Sequence, residues 1–370
     1  MTNPRLESSL GAQVDRIART EQARAARPLL RDAHITLSHG SGGKASHQLL
    51  DAVILPALAN PLLDGSADAA ILSPDGDFAN GARLALTTDS YVVSPLFFPG
   101  GDIGRLAVHG TINDLAMAGA RPICLSLGLI IEEGLDMEVL RAVLSSIGAA
   151  AAEAGVPVAT GDTKVVHRGK ADRLFINTAG IGVVAPGVEL APKHARPGDA
   201  VLLSGVIGDH GMAVMLAREA LEIEAAIVSD SAALHELAAA LLTAVPATRV
   251  LKDPTRGGVA TALNEIARAA GVGVAIDEER VPVRDAVRGA CEILGLDVLH
   301  IANEGKLLAV VPQEHAAVAL ATLRAHPLGR DAVRIGSIEA EPAGMVLLRT
   351  GIGGARVLDM LVGDPLPRIC

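Results

Sequence analysis

Ala185-Pro186-Gly187-Val188-Glu189-Leu190-Ala191-Pro192-Lys193-His194-Ala195-Arg196-Pro197-Gly198-Asp199 divides the chain into two blocks of alternating strand and helix patterns. Its prolines and paired Pro-Gly steps predict a joint rather than an element. Upstream, strands are expected at Ala69–Leu72, Leu84–Thr88, Ile123–Ile131, Pro157–Val166 and Leu174–Val184. Helices are expected between them at Ala45–Ala57, Ile103–Ala118 and Met137–Ala154, the last closed by Gly155 as a C-cap. Downstream, strands are expected at Ala200–Ser204, Val272–Ile276, Leu307–Val311, Val333–Ile338 and Met345–Leu348. Helices fit Gly211–Ala220, Ser231–Thr243, Gly257–Ala270 and His315–Arg324. The expected fold class is α/β (α+β), with domains at 34–185 and 186–360. An extension, 1–33, reads as mobile, and 361–370 as a flexible tail.

The 370 residues carry 32 basic and 42 acidic groups, a net charge of −10, and half of them are apolar. Trp is absent, with one Tyr and four Phe, so the cores must be built from Ala, Val, Leu and Ile. So few aromatics disfavour single-strand nucleic-acid binding, which needs stacking platforms. The acidic balance likewise disfavours phosphate-backbone binding. No apolar run approaches the roughly 18 residues of a membrane span, and arginines from Arg5 to Arg31 interrupt any signal-peptide core. A soluble cytoplasmic protein is expected. Three cysteines, Cys124, Cys291 and Cys370, lack metal-ligand spacing and argue against a disulfide framework.

Two groups of residues suggest chemistry. His39-Gly40-Ser41-Gly42-Gly43-Lys44 is a glycine-rich turn before a helix, where bare backbone and a helix N-terminus suit an anion. Its spacing is neither a Walker A loop nor a Rossmann fingerprint. The second group is a set of acids at turns and strand ends: Asp68, Asp89 in Thr87-Thr88-Asp89, Asp114 after Asn113, Asp162 in Gly161-Asp162-Thr163-Lys164, and Asp253 in Asp253-Pro254-Thr255-Arg256-Gly257-Gly258. Each alone also fits a cap or turn. Asp114 stands apart, because it interrupts an otherwise apolar helical segment. Convergent carboxylates would suit Mg²⁺, a hard cation that takes oxygen ligands and phosphate.

The chain ends Pro365-Leu366-Pro367-Arg368-Ile369-Cys370. A thiol at the extreme end is not expected to be a core filler. Arg368 favours its thiolate while the terminal carboxylate opposes it.

In their order these motifs resemble those of the aminoimidazole-ribonucleotide-synthetase-like (PurM-like) ATP-binding superfamily. Within it, the terminal Pro-Arg-Ile-Cys resembles the HypE family of hydrogenase maturation factors, the likeness running over residues 34–370. The resemblance implies an ATP-dependent carbamoyl dehydratase. Cys370 would receive a carbamoyl group from the carbamoyltransferase HypF, and ATP would drive its dehydration to a thiocyanate. The cyano group would pass to iron on a HypC–HypD complex, for the cyanide ligands of [NiFe]-hydrogenase. It also implies a homodimer formed through the N-terminal domains.

By the same resemblance, Asp68, Asp89, Asp114 and Asp253 are metal-site candidates for Mg²⁺. His39, Gly40, Gly42, Gly43, Lys44, Asn113 and Asp162 would flank ATP, and Glu304 and Lys164 are the candidate bases beside Cys370. His210 and His39 are further possible bases. Two rivals remain at this stage. One is an ATP-dependent enzyme of the same superfamily acting on a free small molecule; the other is a non-catalytic maturation scaffold. Selenophosphate synthesis is disfavoured because no Cys occurs from Ile35 to Gly65.

Overall fold

The computed structural model describes residues 43–49, 51–52, 70–72, 81–219, 226–361 and 368–370. His39, Gly40, Gly42, Asp68, the extension 1–33 and much of the first expected helix lie outside the described residues. Helix α1 (Lys44–Leu49) precedes β1 (Ala70–Leu72) and β2 (Arg83–Tyr91). A two-stranded ribbon follows, β3 (Phe97–Phe98) with β4 (Gly101–Asp102). Next come α2 (Ile103–Met117), β5 (Ala120–Glu132), α3 (Met137–Ala154), β6 (Val158–Val166) and β7 (Leu174–Val184).

These strands form a five-stranded sheet in the order β1-β2-β7-β5-β6, antiparallel except for the β5–β6 pair. Helix α2 crosses β2, β7 and β5. Asp102 caps its start, accepting from the amides of Gly104 (2.7 Å) and Arg105 (3.1 Å). Nearly every residue of α2 is buried, because the sheet covers one side and the second domain another. Helix α3 is amphipathic and ends at Gly155 with φ 65°, the left-handed cap expected there. On the opposite face of the sheet Leu86, Ile123, Ile130 and Ile181 are exposed.

The second domain holds β8 (Ala200–Leu203), α4 (Asp209–Glu219), α5 (His235–Ala244), β9 (Val250–Lys252), α6 (Gly258–Ala270) and β10 (Gly273–Asp277). It continues through α7 (Asp285–Leu294), β11 (Leu308–Val311), α8 (Ala316–Ala325), β12 (Val333–Glu339), β13 (Val346–Arg349) and β14 (Ala355–Val357). Its seven-stranded sheet runs β14-β13-β10-β12-β8-β11-β9. Helix α6 packs on one face, and α5 with α8 on the other.

Several local patterns differ from the sequence reading, among them the short strands β3, β4, β9 and β14, which were not expected. Residues 231–234 are irregular rather than the first turn of α5, because their backbone bonds go to the other domain's Asn113 and to Glu304. Helix α7 was not expected; its Cys291 and Val287 lie in a core cluster with α4 and with residues of the first domain. That cluster also takes in Ile369 and Cys370, so the two domains share one apolar junction closed by the chain's last residues.

The turn into α6 is tight. Gly258 has φ 61°, and a Cβ there would come within 2.5 Å of the Leu299 carbonyl oxygen. Gly258→Ala is expected to destabilise the chain by more than about 2 kcal/mol. Gly289→Ala, inside α7 with nothing within 4 Å of the added methyl, should stabilise it by about 0.5–1 kcal/mol. Chemical denaturation of both variants measures the contrast.

Candidate active site

The site forms where four backbone segments meet: the end of β2, the middle of α2, the turn 252–258 and the loop 301–306. Asn113 on α2 is buried and joins the domains. Its amide group donates to the carbonyls of Ala232 (3.0 Å) and Glu304 (3.2 Å), and its oxygen accepts from the Leu234 amide (2.8 Å). Asn303 adds a second clasp, accepting from the Gly208 amide (2.8 Å) and donating to the Pro254 carbonyl (3.0 Å). Glu304 is thereby fixed between them. Its amide donates to Asp230 (3.1 Å), whose other oxygen pairs with Lys306 (3.0 Å).

The tail enters this junction. Cys370 is only 8 % exposed, and one of its terminal oxygens accepts from the Val92 amide at 3.0 Å. Arg368 donates from Nε to the Val92 carbonyl (2.8 Å), pairs with Asp172, and lies over the Phe175 ring. A terminal thiol does reach a core here, contrary to the sequence expectation. At the β2 end the amides of Val92 and Ser94 donate to the carbonyl oxygens of Cys370 and Arg368, which offsets part of the cost of burying them.

Electrostatics mark the same place. Burial pushes the Glu304 carboxyl well above its ordinary value, and Asp253, Asp89 and Asp230 push it the same way against Arg256. Burial raises Asp89 too, with Arg256 opposing. Burial, Asp89 and Asp114 keep the Tyr91 hydroxyl protonated. Arg256 is held firmly cationic, first by Cys370 and then, against its own burial, by Asp89 and Glu304. Glu304 Oε1 is buried without a hydrogen-bond partner among the described residues. A crowded, partly unsatisfied carboxylate set beside one guanidinium is what a charged substrate or cation would complete.

Beside it lies a cavity of about 180 Å³ lined by Lys252, Asp253, Arg256, Gly258, Thr261 and Glu265. Thr261 Oγ1 is buried there with no partner among the described residues. Burial opposes ionisation of Glu265, but Lys252 and His47 overcome it and hold its carboxyl at about 2.

The expected site residues therefore divide. Asp89, Asp114, Asp253, Glu304 and Cys370 are brought to one junction, with Asp114 accepting from Thr87 Oγ1 at 2.8 Å. Among the described residues no group of three or more His, Cys, Asp or Glu is arranged to hold a metal. Both amide hydrogens of Asn113 are spent on backbone, which makes it a clasp between domains. Gly43 is buried, and Lys44 pairs with Asp359 and donates its amide to Leu361. Lys164 and Asp162 pair with each other on the outer strand β6, about 70 % exposed and away from Cys370. Sequence reasoning passed over Arg256, although it lay inside a quoted motif, and over Tyr91, the chain's one tyrosine, two residues past Asp89.

The folded state binds the Glu304 proton more tightly than the unfolded chain does. This group's contribution to stability is therefore full below about 4.5 and is lost as pH rises above it. Glu304→Gln is expected to melt at a higher temperature than the parent chain at pH 8, with the difference shrinking toward pH 4.5. Thermal unfolding across that range checks it.

Residues 66–184 match the N-terminal domain family of AIR synthase related proteins, and residues 196–348 match its C-terminal domain family. The chain is 54 % identical over 342 residues to the carbamoyl dehydratase HypE of Azotobacter vinelandii, covering 92 % of this chain and 98 % of that protein. It is 52 % identical over 346 residues to the carbamoyl dehydratase HypE of Cupriavidus necator, covering 93 % and 97 %. A crystal structure of HypE in complex with ATP superposes with TM-score 0.76 at 50 % identity, over 91 % of this chain and 100 % of that one. A HypE–HypF complex gives 0.79 at 48 % identity, over 85 % and 99 %. An Aquifex aeolicus thiamine monophosphate kinase shares the fold at 18 % identity, with TM-score 0.60 over 84 % and 97 %. With half its residues shared along nine-tenths of its length, and with both domains of the fold in place, the chain belongs to the carbamoyl dehydratase HypE family.

Proposed function

We propose that the chain dehydrates a carbamoyl group carried on Cys370 Sγ to a thiocyanate, using ATP, in the maturation of [NiFe]-hydrogenase. The observation that carries this reading is the burial of Cys370 beside Arg256, in the junction that holds Glu304 and Asp89. An acceptor thiol in that position brings the attached group to the charged residues, away from bulk water.

The reaction removes the carbamoyl oxygen and two nitrogen-bound protons. That oxygen is a poor leaving group until it takes the γ-phosphoryl of ATP; it then departs as phosphate, leaving a carbon–nitrogen triple bond on sulfur. Arg256 is placed to offset negative charge that develops on the phosphorylated oxygen. Glu304, whose burial makes it a stronger base than an ordinary carboxylate, accepts one of the two protons from nitrogen, and the second leaves with the departing phosphate. The cavity beside them, with Lys252, the start of α6 and the unpartnered Thr261 hydroxyl, suits the nucleotide's phosphates.

Mg²⁺ characteristically takes one or two carboxylates and completes its shell with phosphate and water. Asp89 and Asp253 fit that donor set, being carboxylates crowded around Glu304. Mg²⁺ bound there would neutralise phosphate charge during transfer.

A homodimer completes the proposal. The open sheet face exposes Leu86, Ile123, Ile130 and Ile181, and Lys164 lies beside Ile130 in the β5–β6 register. A second copy against this face would cover the apolar residues and give Lys164 and Asp162 surroundings that one chain does not provide. HypF is the carbamoyl donor and a HypC–HypD complex the acceptor of the cyano group in this reading.

Incubation with HypF, carbamoyl phosphate and ATP, followed by intact mass and digestion, tests it. Cys370 should gain a carbamoyl group that loses one water only when ATP is present, and Cys370→Ala should gain nothing. An unmodified tail, with the same HypF active on another HypE, would sink the proposal. Glu304→Gln should still accept the carbamoyl group, but its water loss should slow at least about a hundredfold.

A further inference from the structure

Tyr91, the chain's one tyrosine, is almost wholly buried at the end of β2. Alternation along the strand puts it on the same face as Thr87 and Asp89, the face that α2 covers. Its hydroxyl occupies a gap in that helix. A Cβ at residue 110 would run into the Tyr91 oxygen, so Gly110 is what admits the phenol.

A line of hydroxyls leads away from that point into the first domain. Tyr91 Oη lies 3.4 Å from Thr111 Oγ1, Thr111 is hydrogen-bonded to Thr178, and Thr178 Oγ1 donates to the Ala107 carbonyl (3.2 Å). A carbonyl can only accept, and each hydroxyl has one hydrogen to give. Thr178 spends its hydrogen on Ala107, so Thr111 must donate to Thr178. Thr111 then has none left for Tyr91. The relay makes the phenol a donor.

The Asp89 carboxyl, two residues back on the strand, is hydrogen-bonded to this phenol. A carboxylate is a better acceptor than a threonine oxygen at 3.4 Å, so the hydrogen goes to Asp89. The Ser90 amide donates to Asp89 Oδ1 at 2.7 Å. The carboxylate is thus held twice by its own strand, while Arg256 attracts it from the second domain.

We propose that Tyr91 is a positioning residue: its hydroxyl, seated against Gly110 and given direction by Thr111 and Thr178, orients the Asp89 carboxylate for the divalent cation of a bound nucleotide. This rests on the reading of Asp89 as a donor to that cation. Tyr91 acts through Asp89 alone. Partners that orient a metal-binding side chain contribute about 10- to 100-fold in affinity.

The test is calorimetric binding of AMPPCP, an ATP analogue that does not transfer its γ-phosphoryl, to the full chain in saturating Mn²⁺ and in EDTA. The ratio of the two affinities is the cation's contribution. Tyr91→Phe keeps the ring and removes only the hydroxyl. It should lower the ratio about tenfold while the affinity in EDTA stays unchanged. In an Asp89→Ala background, Tyr91→Phe should lower the ratio no further, because no carboxylate remains to be oriented.

A full ratio in Tyr91→Phe, with a reduced one in Asp89→Ala, overturns the proposal and leaves the cation reading standing. An equal loss in both backgrounds also overturns it, since Tyr91 would then act by loosening the domain. A weakened affinity in EDTA for Tyr91→Phe does the same. A parent chain that binds AMPPCP no better in Mn²⁺ than in EDTA, or a full ratio in Asp89→Ala, overturns the cation reading and this proposal with it.

Discussion

The charge balance around Arg256 is the constraint on which the rest of the junction depends. Asp89, Glu304 and the end of the chain come together in a region shielded from water, where each extra ionised carboxyl is costly. Arg256 lowers that cost for all of them at once. It sits one residue before the glycine pair that lets the chain turn into α6, so a backbone requirement and an electrostatic one fall on neighbouring residues. Asn113 and Asn303 then hold the facing loops by their backbones, leaving the charged groups free of a purely structural duty.

The tail behaves as a folded element at its end. Its last residues are joined to both domains, by Val92 and Ser94 on one side and by α4 on the other. These contacts fall on main-chain oxygens, each individually modest. Burial of Ile369 in the shared apolar cluster adds a term that is lost only when the tail departs.

Among the described residues, one face of the first sheet is covered. Helices α2 and α3 bury the inner face, and β7 alternates strictly between buried and exposed positions. Aliphatic residues nevertheless continue onto the outer face. The exposed strand β6 places Lys164 and Asp162 at that edge, far from the apolar junction where Cys370 lies.

Much of the architecture was legible in local sequence. Leu174–Val184 alternates at a period of two, Gly155 ends a long helical pattern, and the Pro-Gly steps around residues 186–198 read as a joint. Such features depend on near neighbours in the chain, and near neighbours decide strand, cap and turn. The acids Asp89, Asp114 and Asp253 and the thiol Cys370 were also visible as chemistry-bearing residues. Their meeting was not, because they come from three stretches of chain, 89–114, 253 and 370, more than a hundred residues apart, and only packing brings them together. The same holds for the roles of Arg256 and Asn113. Each acts through groups contributed by the other domain or by the tail, and a side chain's partners across a fold leave no local pattern in the sequence.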